Sequence, residues 1–406
     1  MKKLLYLLVL IPIQFLSSCQ DQSHQNQKKN TVIMVSIDGF RFDYADKYNT
    51  PNLDRIAKEG VKAKSMIPSY PSKTFPNHYA IATGMYPQNN GLVHNNFFDP
   101  ERNQHYSIGV GKKDGSWFKG TPIWNLAEQQ GQKAASFYWP VSDARVEGMR
   151  PTYYYKYNKP TPYLERVEQI KKWLDMDQSI RPTLITTYFS LVDTQGHVFG
   201  PDANETKEAV EYIDTVIGQL YDIVKSYKEP IDLIIVSDHG MEQVAVDDAI
   251  ILESLGRFKD FECVNGGGVQ YLLYAKEGAD IEKTYQELKK QEDKGFVVYK
   301  KDSAPNQLHY SKGVRIPAIF CEAVPPKTFK NLRGGVSNGM HGFNPYKVKN
   351  MHAIFYAAGD HFKENVSIAP FENVNVYPTI AKILSLKVPD NIDGDEKVLL
   401  PVMKNL

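Results

Sequence analysis

Aspartate, histidine and threonine side chains can hold divalent metals and attack phosphorus, and short segments between Asp38 and His341 supply all three. They are Asp38 in Ser36-Ile37-Asp38-Gly39-Phe40, Thr74 in Lys73-Thr74-Phe75-Pro76-Asn77-His78, Asp193 and His197 in Asp193-Thr194-Gln195-Gly196-His197, Asp238 and His239 in Ser237-Asp238-His239-Gly240-Met241, and His341 in Gly339-Met340-His341-Gly342-Phe343. Neutral imidazoles combined with carboxylates suit zinc. A pair of such ions about 3.5–4 Å apart stabilises both the attacking and the leaving oxygen of an in-line displacement. The aspartates and histidines named here divide into two such sites. A threonine hydroxyl is unreactive at neutral pH unless a metal or base lowers its effective pKa, which makes Thr74 the candidate nucleophile. Each residue alone has a plainer reading. Asp38-Gly39 could be a turn, an isolated histidine could be structural, and Thr74 could simply cap a helix. The assignment rests on the whole set.

Such side chains must be brought together by strand ends and helix starts. Thr31–Ile37 is a β-rich apolar run ending at Asp38-Gly39, which predicts a buried strand with a carboxylate at its C-terminal end, where open α/β sheets build sites. Further strands are expected at 133–138, 183–189, 231–236 and 351–356, and helices at 162–174, 203–225 and 374–384. Thr50-Pro51 and Thr121-Pro122 read as N-caps with first-turn prolines, for helices stopping near Gly60 and Gly131. Pro76 places another helix start beside Thr74, whose free amides would favour a phosphoryl oxygen. The alternation from Thr31 to Ser237 predicts an α/β fold, a mostly parallel sheet with helices on both faces. From Met241 to Gly339 the pattern changes to short strands and turns. Because His341 returns a candidate ligand, 242–338 reads as a cap inserted into a catalytic domain of 31–406.

The 406 residues are 42% hydrophobic, enough for a large core in one large domain or two smaller ones. With 48 basic and 47 acidic residues the net charge is +1, so no global field draws the chain to nucleic acid, and stable nucleic-acid binding is not expected. Lys2 and Lys3 precede an apolar run over 4–16, with the length and flanks of a secretory signal rather than a membrane span. It ends at Leu16-Ser17-Ser18-Cys19, which resembles the bacterial lipobox. That resemblance implies a lipoprotein signal peptide over 1–18, acylation of Cys19 and a polar tether over 19–30. The protein would then be exported and anchored to a bacterial membrane, facing the periplasm or the cell surface. An ordinary signal peptide with an incidental cysteine, or a buried N-terminal helix, are the alternatives. In an oxidising compartment Cys263 and Cys321 could pair, and with no CxxC spacing they read as structural.

From Thr31 to the C-terminus the chain resembles the nucleotide pyrophosphatase/phosphodiesterase family of the alkaline phosphatase superfamily. The most specific segments are Lys73 through His78, Ser237 through Met241 and Gly339 through Phe343. The resemblance implies two Zn2+ ions, one held by Asp193, His197 and His341, the other by Asp38, Asp238, His239 and the Thr74 oxygen. It implies that Asn95 in His94-Asn95-Asn96 binds a phosphoryl oxygen together with the backbone amide of Thr74 or Phe75. It also implies a nucleobase held by Phe75, Tyr157 and Tyr188, since aromatic faces bind bases with little selectivity. With 25 tyrosines in the chain, Tyr157 is equally a core or surface residue. Ser190-Leu191-Val192 stands where many animal members have Glu-Glu-Pro, and Asn96 where they can carry a lysine, so a triphosphate preference does not carry over. His24, His78, His94, His105, His309, His352 and His361 read as structural or exposed, and 391–396 as a turn rather than a calcium loop.

The expected activity is hydrolysis of a nucleotide ester or anhydride through a phosphothreonine intermediate, releasing a nucleoside monophosphate. A phosphate monoesterase of the same superfamily is the nearest alternative, although it needs extra positive groups and no Lys-x-Arg constellation is evident. A lysophospholipid or sulfate diesterase is another; sulfatases, however, normally use a modified Cys or Ser, and Thr74 argues against that chemistry. A non-catalytic lipoprotein binding zinc or nucleotide would have lost a ligand or the nucleophile, and none is missing.

Overall fold

Every residue of Thr31–Ile37 is buried, so this strand, β1, is covered on both sides as its unbroken apolar run requires. The computed structural model describes residues 30–404; the apolar run over 4–16, Cys19 and His24 lie outside the described residues. The other strands of the main sheet are β2 (Val61–Ala63), β3 (Ala134–Phe137), β4 (Tyr153–Tyr155), β5 (Leu184–Phe189), β6 (Ile231–Val236), β7 (Phe355–Ala358) and β8 (Val366–Ile368). They form an 8-stranded sheet in the order β8-β2-β7-β6-β1-β5-β3-β4. Only β7 runs against the rest, so the sheet is mostly parallel, as the strand–helix alternation predicts.

Alternate residues of β1 serve two cores. Ile33, Val35 and Ile37 pack with the helices α1 (Pro51–Lys58), α4 (Tyr163–Leu174) and α6 (Asn204–Ser226). Val32 and Met34 pack on the other face with α2 (Thr74–Thr83), α3 (Ile123–Gln129) and α7 (Val376–Ile383). Buried apolar cores on both faces hold the C-terminal ends of β6, β1 and β5 side by side, the place where a parallel sheet collects loops.

Several local expectations are corrected. The strand expected at 351–356 begins only at Phe355, because the backbone before it is used elsewhere. Lys349–Met351 is a 3₁₀ turn, Met351 O accepts Gly240 N–H at 2.8 Å, and Ala353 exchanges hydrogen bonds with Met66. Thr50 occupies the N-cap position of α1 with Pro51 in the first turn, as expected, but its hydroxyl makes no capping bond and donates to Ala45 O at 3.0 Å. At α3 the cap residue is Pro122 and the helix starts at Ile123. A helix not anticipated from sequence, α5 (Leu191–Phe199), carries Asp193 and His197.

Within 242–338 the chain builds a separate antiparallel sheet, ordered Phe261–Gly266, Gln270–Ala275, Ile319–Ala323, Phe296–Lys300. Cys263 and Cys321 lie on this sheet as free thiols. The sheet is fastened to the main body by buried polar ties. Arg315 donates to Asp99 Oδ2 and to Gly91 O, each at 2.8 Å, and Gln270 Nε2 donates to Gly342 O at 2.6 Å. The segment 391–396 is a fold tie: Asp393 accepts Tyr86 N–H at 2.8 Å and Asn89 Nδ2 at 2.9 Å.

Candidate active site

Asp38 follows β1, Asp193 sits in the first turn of α5 after β5, and Asp238 and His239 follow β6, so three neighbouring strands deliver three carboxylates to one place. The loop after β1 presses directly on α5. Asp193 N–H donates to Asp38 O at 3.1 Å, and a Cβ at Gly39 would lie 2.8 Å from Asp193 Cα. Glycine there, at a φ of +68°, permits the contact. His341 arrives from outside the main sheet. The pairing of Glu242 with Met340 and the bond from Asn338 N–H to His197 O at 3.0 Å bring it over α5.

The offered atoms of Asp38, Asp238 and His239 lie within 4.8 Å of one another, as do those of Asp193, His239 and His341. His239 is common to both groups, and its ring stacks on His341 with centroids 3.6 Å apart. His197 stands at the outer edge, with Nε2 3.4 Å from Asp193 Oδ1. Thr74 Oγ1 is 3.2 Å from His239 Nε2. The sequence-predicted ligands and Thr74 are therefore all brought together.

Asp38 Oδ1, Asp193 Oδ1 and Asp238 Oδ2 are buried without a hydrogen-bond partner among the described residues. Each ligand-candidate histidine faces a backbone carbonyl through Nδ1: His197 to Gly339 O at 2.7 Å, His239 to Gly240 O at 2.9 Å and His341 to Ser72 O at 2.8 Å. A carbonyl only accepts, so Nδ1 carries the proton and Nε2 presents its lone pair inward. Burial pushes the Asp38 carboxyl well up, helped by the charges of Asp238 and Asp193. Burial pushes His341 well down, helped by His239, Lys73 and His197. Converging unspent carboxylate oxygens and imidazole lone pairs are the donor set that divalent metals take, and zinc fits them.

Thr74 opens α2, and its side chain makes no cap, so the helix-capping alternative does not hold. Phe75 N–H donates to Asn95 Oδ1 at 3.0 Å. That bond turns the Asn95 Nδ2 donors away from Phe75. Of the two amides expected to join Asn95, the Phe75 amide is engaged and the Thr74 amide, one of the first-turn orphans of α2, is the available one. Phe75, Tyr157 and Tyr188 line one cavity with Tyr138, Trp139 and Tyr155. Tyr157 is 40% exposed, whereas Tyr188 is 8% exposed and donates its hydroxyl to Asp38 Oδ2 at 2.5 Å.

Three contributors escaped the sequence reading. His78 is fully buried beside Thr74. Its Nδ1 lies 2.8 Å from Thr74 O and 3.3 Å from Asp238 Oδ2, and its Nε2 lies 2.8 Å from the Ser36 hydroxyl. Lys73 is buried next to Thr74, donates to Gly267 O at 3.1 Å and is pushed down by burial to about 7, with Asp193 acting the other way. The third is the Tyr188 hydroxyl. Their position in or near the Lys73–His78 segment was the available signal for the first two. The other unassigned histidines within the described residues are structural or exposed: His94 pairs with Gln270, His352 with Ser65, His361 with Asp232 and His309 stacks on Tyr86, while His105 is exposed.

Comparison with known proteins identifies the family. The family model described as type I phosphodiesterase / nucleotide pyrophosphatase matches residues 32–344, and the chain belongs to that family. A venom phosphodiesterase from Naja atra is 33% identical over 97% of this chain and 48% of its own length. Ectonucleotide pyrophosphatase/phosphodiesterase family member 3 from Rattus norvegicus is 34% identical over 92% of this chain and 44% of its own length. The chain thus spans about half the length of the curated relatives it matches. Murine ectonucleotide pyrophosphatase/phosphodiesterase 5 superposes with a TM-score of 0.86 at 27% identity, covering 92% of this chain and 100% of that one. The fold is accordingly the alkaline phosphatase-like α/β fold of that family.

Proposed function

We propose that this protein is a two-zinc phosphodiesterase and nucleotide pyrophosphatase that releases a nucleoside monophosphate through a phosphothreonine intermediate. The observation that carries the reading is Thr74 Oγ1 lying 3.2 Å from His239, the residue shared by both ligand groups. Support comes from an inactive threonine-to-alanine form of murine ectonucleotide pyrophosphatase/phosphodiesterase 5, a protein of the same fold solved in complex with AMP.

Asp38, Asp238, His239 and Thr74 would hold one zinc and Asp193, His197 and His341 the other, supplying Lewis-acid charge beside the attacking and leaving oxygens. Thr74 Oγ1 attacks phosphorus as the bond to the leaving oxygen breaks. Water then attacks the phosphothreonine, the Oγ1–P bond breaks and the monophosphate leaves. Asn95 Nδ2 and the Thr74 amide hold a nonbridging oxygen. Phe75 and Tyr157 clasp the base and orient the ester, so that binding away from phosphorus aligns the reaction.

The test compares bis(p-nitrophenyl) phosphate with p-nitrophenyl phosphate, with a chelator and Thr74→Ala as controls. Diester preference lost in both controls is the expected result. Monoester preference would move the protein to the phosphatase alternative. For the N-terminal segment we propose, from its sequence, export and acylation at Cys19, which mass spectrometry of the membrane-extracted protein tests; an unmodified Cys19 refutes it.

A further inference from the structure

We infer that Tyr188 is the positioning residue for Asp38, its hydroxyl fixing which carboxylate oxygen is offered to a metal ion. The inference rests on the two-metal reading above.

Asp38 and Asp238 face the same imidazole, yet they are held differently. Asp238 Oδ1 accepts Gly39 N–H at 3.3 Å, and Oδ2 lies 3.0 Å from His239 Nε2 and 3.3 Å from His78 Nδ1. The Asp238 carboxylate is therefore oriented by a backbone amide of the loop after β1. Asp38 has no such backbone partner. The hydrogen bond its carboxylate accepts comes from Tyr188, at Oδ2, and Oδ1 is left without a donor, 3.4 Å from His239 Nε2. Without that phenol the carboxylate could rotate about its last torsion and present either oxygen, or both. With it, one oxygen is occupied and the other has a fixed lone pair.

The phenol is itself well fixed. Its strand pairs in register with β1, Tyr188 opposite Ser36, two residues before Asp38. Its ring packs edge-on against His78, centroids 5.2 Å apart, and Arg166 donates to its carbonyl oxygen. The same ring forms the inner wall of the aromatic cavity, 6.0 Å from Tyr157. The more open Phe75 and Tyr157 are left to clasp a base, while Tyr188 backs the cavity and points its oxygen at the ligand cluster.

Tyr188→Phe removes one oxygen and keeps the ring, so the cavity wall stays. Zinc affinity and stoichiometry would be measured by competition against a chelator of known strength, with KM and kcat for thymidine 5′-monophosphate p-nitrophenyl ester alongside. The expected result is one of the two ions bound about 10–100-fold more weakly. The kcat should fall at limiting zinc and recover with excess zinc, and KM should not change. Equal zinc affinity in both proteins overturns the inference, as does a raised KM with unchanged zinc binding, which would place the hydroxyl on the substrate. A wild-type protein that binds no zinc would overturn the two-metal reading itself.

Discussion

Replacing Asn95 separates two functions of one side chain. Its Oδ1 accepts the Phe75 amide at 3.0 Å, which in the proposed mechanism leaves Nδ2 as the donor toward a phosphoryl oxygen. Asn95→Ala deletes both bonds. Loss of one donor aimed at transition-state charge costs about 10²–10³ in kcat, while the abandoned Phe75 amide costs about 1 kcal/mol of stability. Asn95→Asp keeps an acceptor for Phe75 but sets a negative charge where the donor was. Two like charges about 4 Å apart at an effective dielectric of about 20 repel by about 4 kcal/mol, roughly another thousandfold. The aspartate variant should therefore melt near wild type, yet be slower than the alanine variant. Steady-state kinetics on thymidine 5′-monophosphate p-nitrophenyl ester with excess zinc, beside thermal melting, read both effects. An alanine variant within tenfold of wild-type kcat, or an aspartate variant faster than the alanine one, would refute the role given to Asn95.

Chelation should abolish activity and lower the melting temperature, and zinc should restore both; free zinc at a hundredfold its Kd adds about 2.7 kcal/mol, and a chelated protein with unchanged activity would discount the metal reading. Phe75→Ala should raise KM for the nucleotide ester by about 5–150-fold, the equivalent of about 1–3 kcal/mol of base stacking, whereas a KM within twofold would remove the base from the cavity. Burial pushes the Glu322 carboxyl up to about 7, although it accepts Asn344 N–H at 3.1 Å. A carboxyl raised on folding contributes stability fully below the unfolded value of 4.5 and loses it as pH rises through about 7. Wild type should therefore lose about 2–3 kcal/mol between roughly pH 5 and pH 8 that Glu322→Gln retains; parallel urea midpoints in the two proteins would count against it.

Long-range order was largely readable where a residue's environment follows from its neighbours in sequence. β1, β5 and β6 are apolar runs that can only be buried, and the residues that end them are those that reach the site. The Asp193–His197 segment was legible as ligands but not as a helix, because Gly196 and Thr194 mask the apolar pattern; the helix itself puts the two side chains one turn apart on one face. β7 was misplaced because the apolar run includes Met351 and Ala353, whose backbone groups bond to Gly240 and Met66 outside the sheet ladder. Tyr188 was legible as an aromatic near the site. That its oxygen is bonded to Asp38 depends on the register of β1 against β5, which no local spacing carries. His78 reads from sequence as structural; its contact with Thr74 O is local to α2, whereas those with Ser36 and Asp238 exist only once α2 is laid across the ends of β1 and β6.

In the proposed mechanism, attack by Thr74 makes hydrolysis two displacements, each inverting phosphorus. The decisive measurement is the stereochemical course with a single phosphorothioate diastereomer of a nucleotide ester, hydrolysed in ¹⁸O-labelled water and read by ³¹P NMR. Net retention is the result expected from a phosphothreonine intermediate. Net inversion would mean that water attacks the substrate directly, and would contradict Thr74 as the nucleophile.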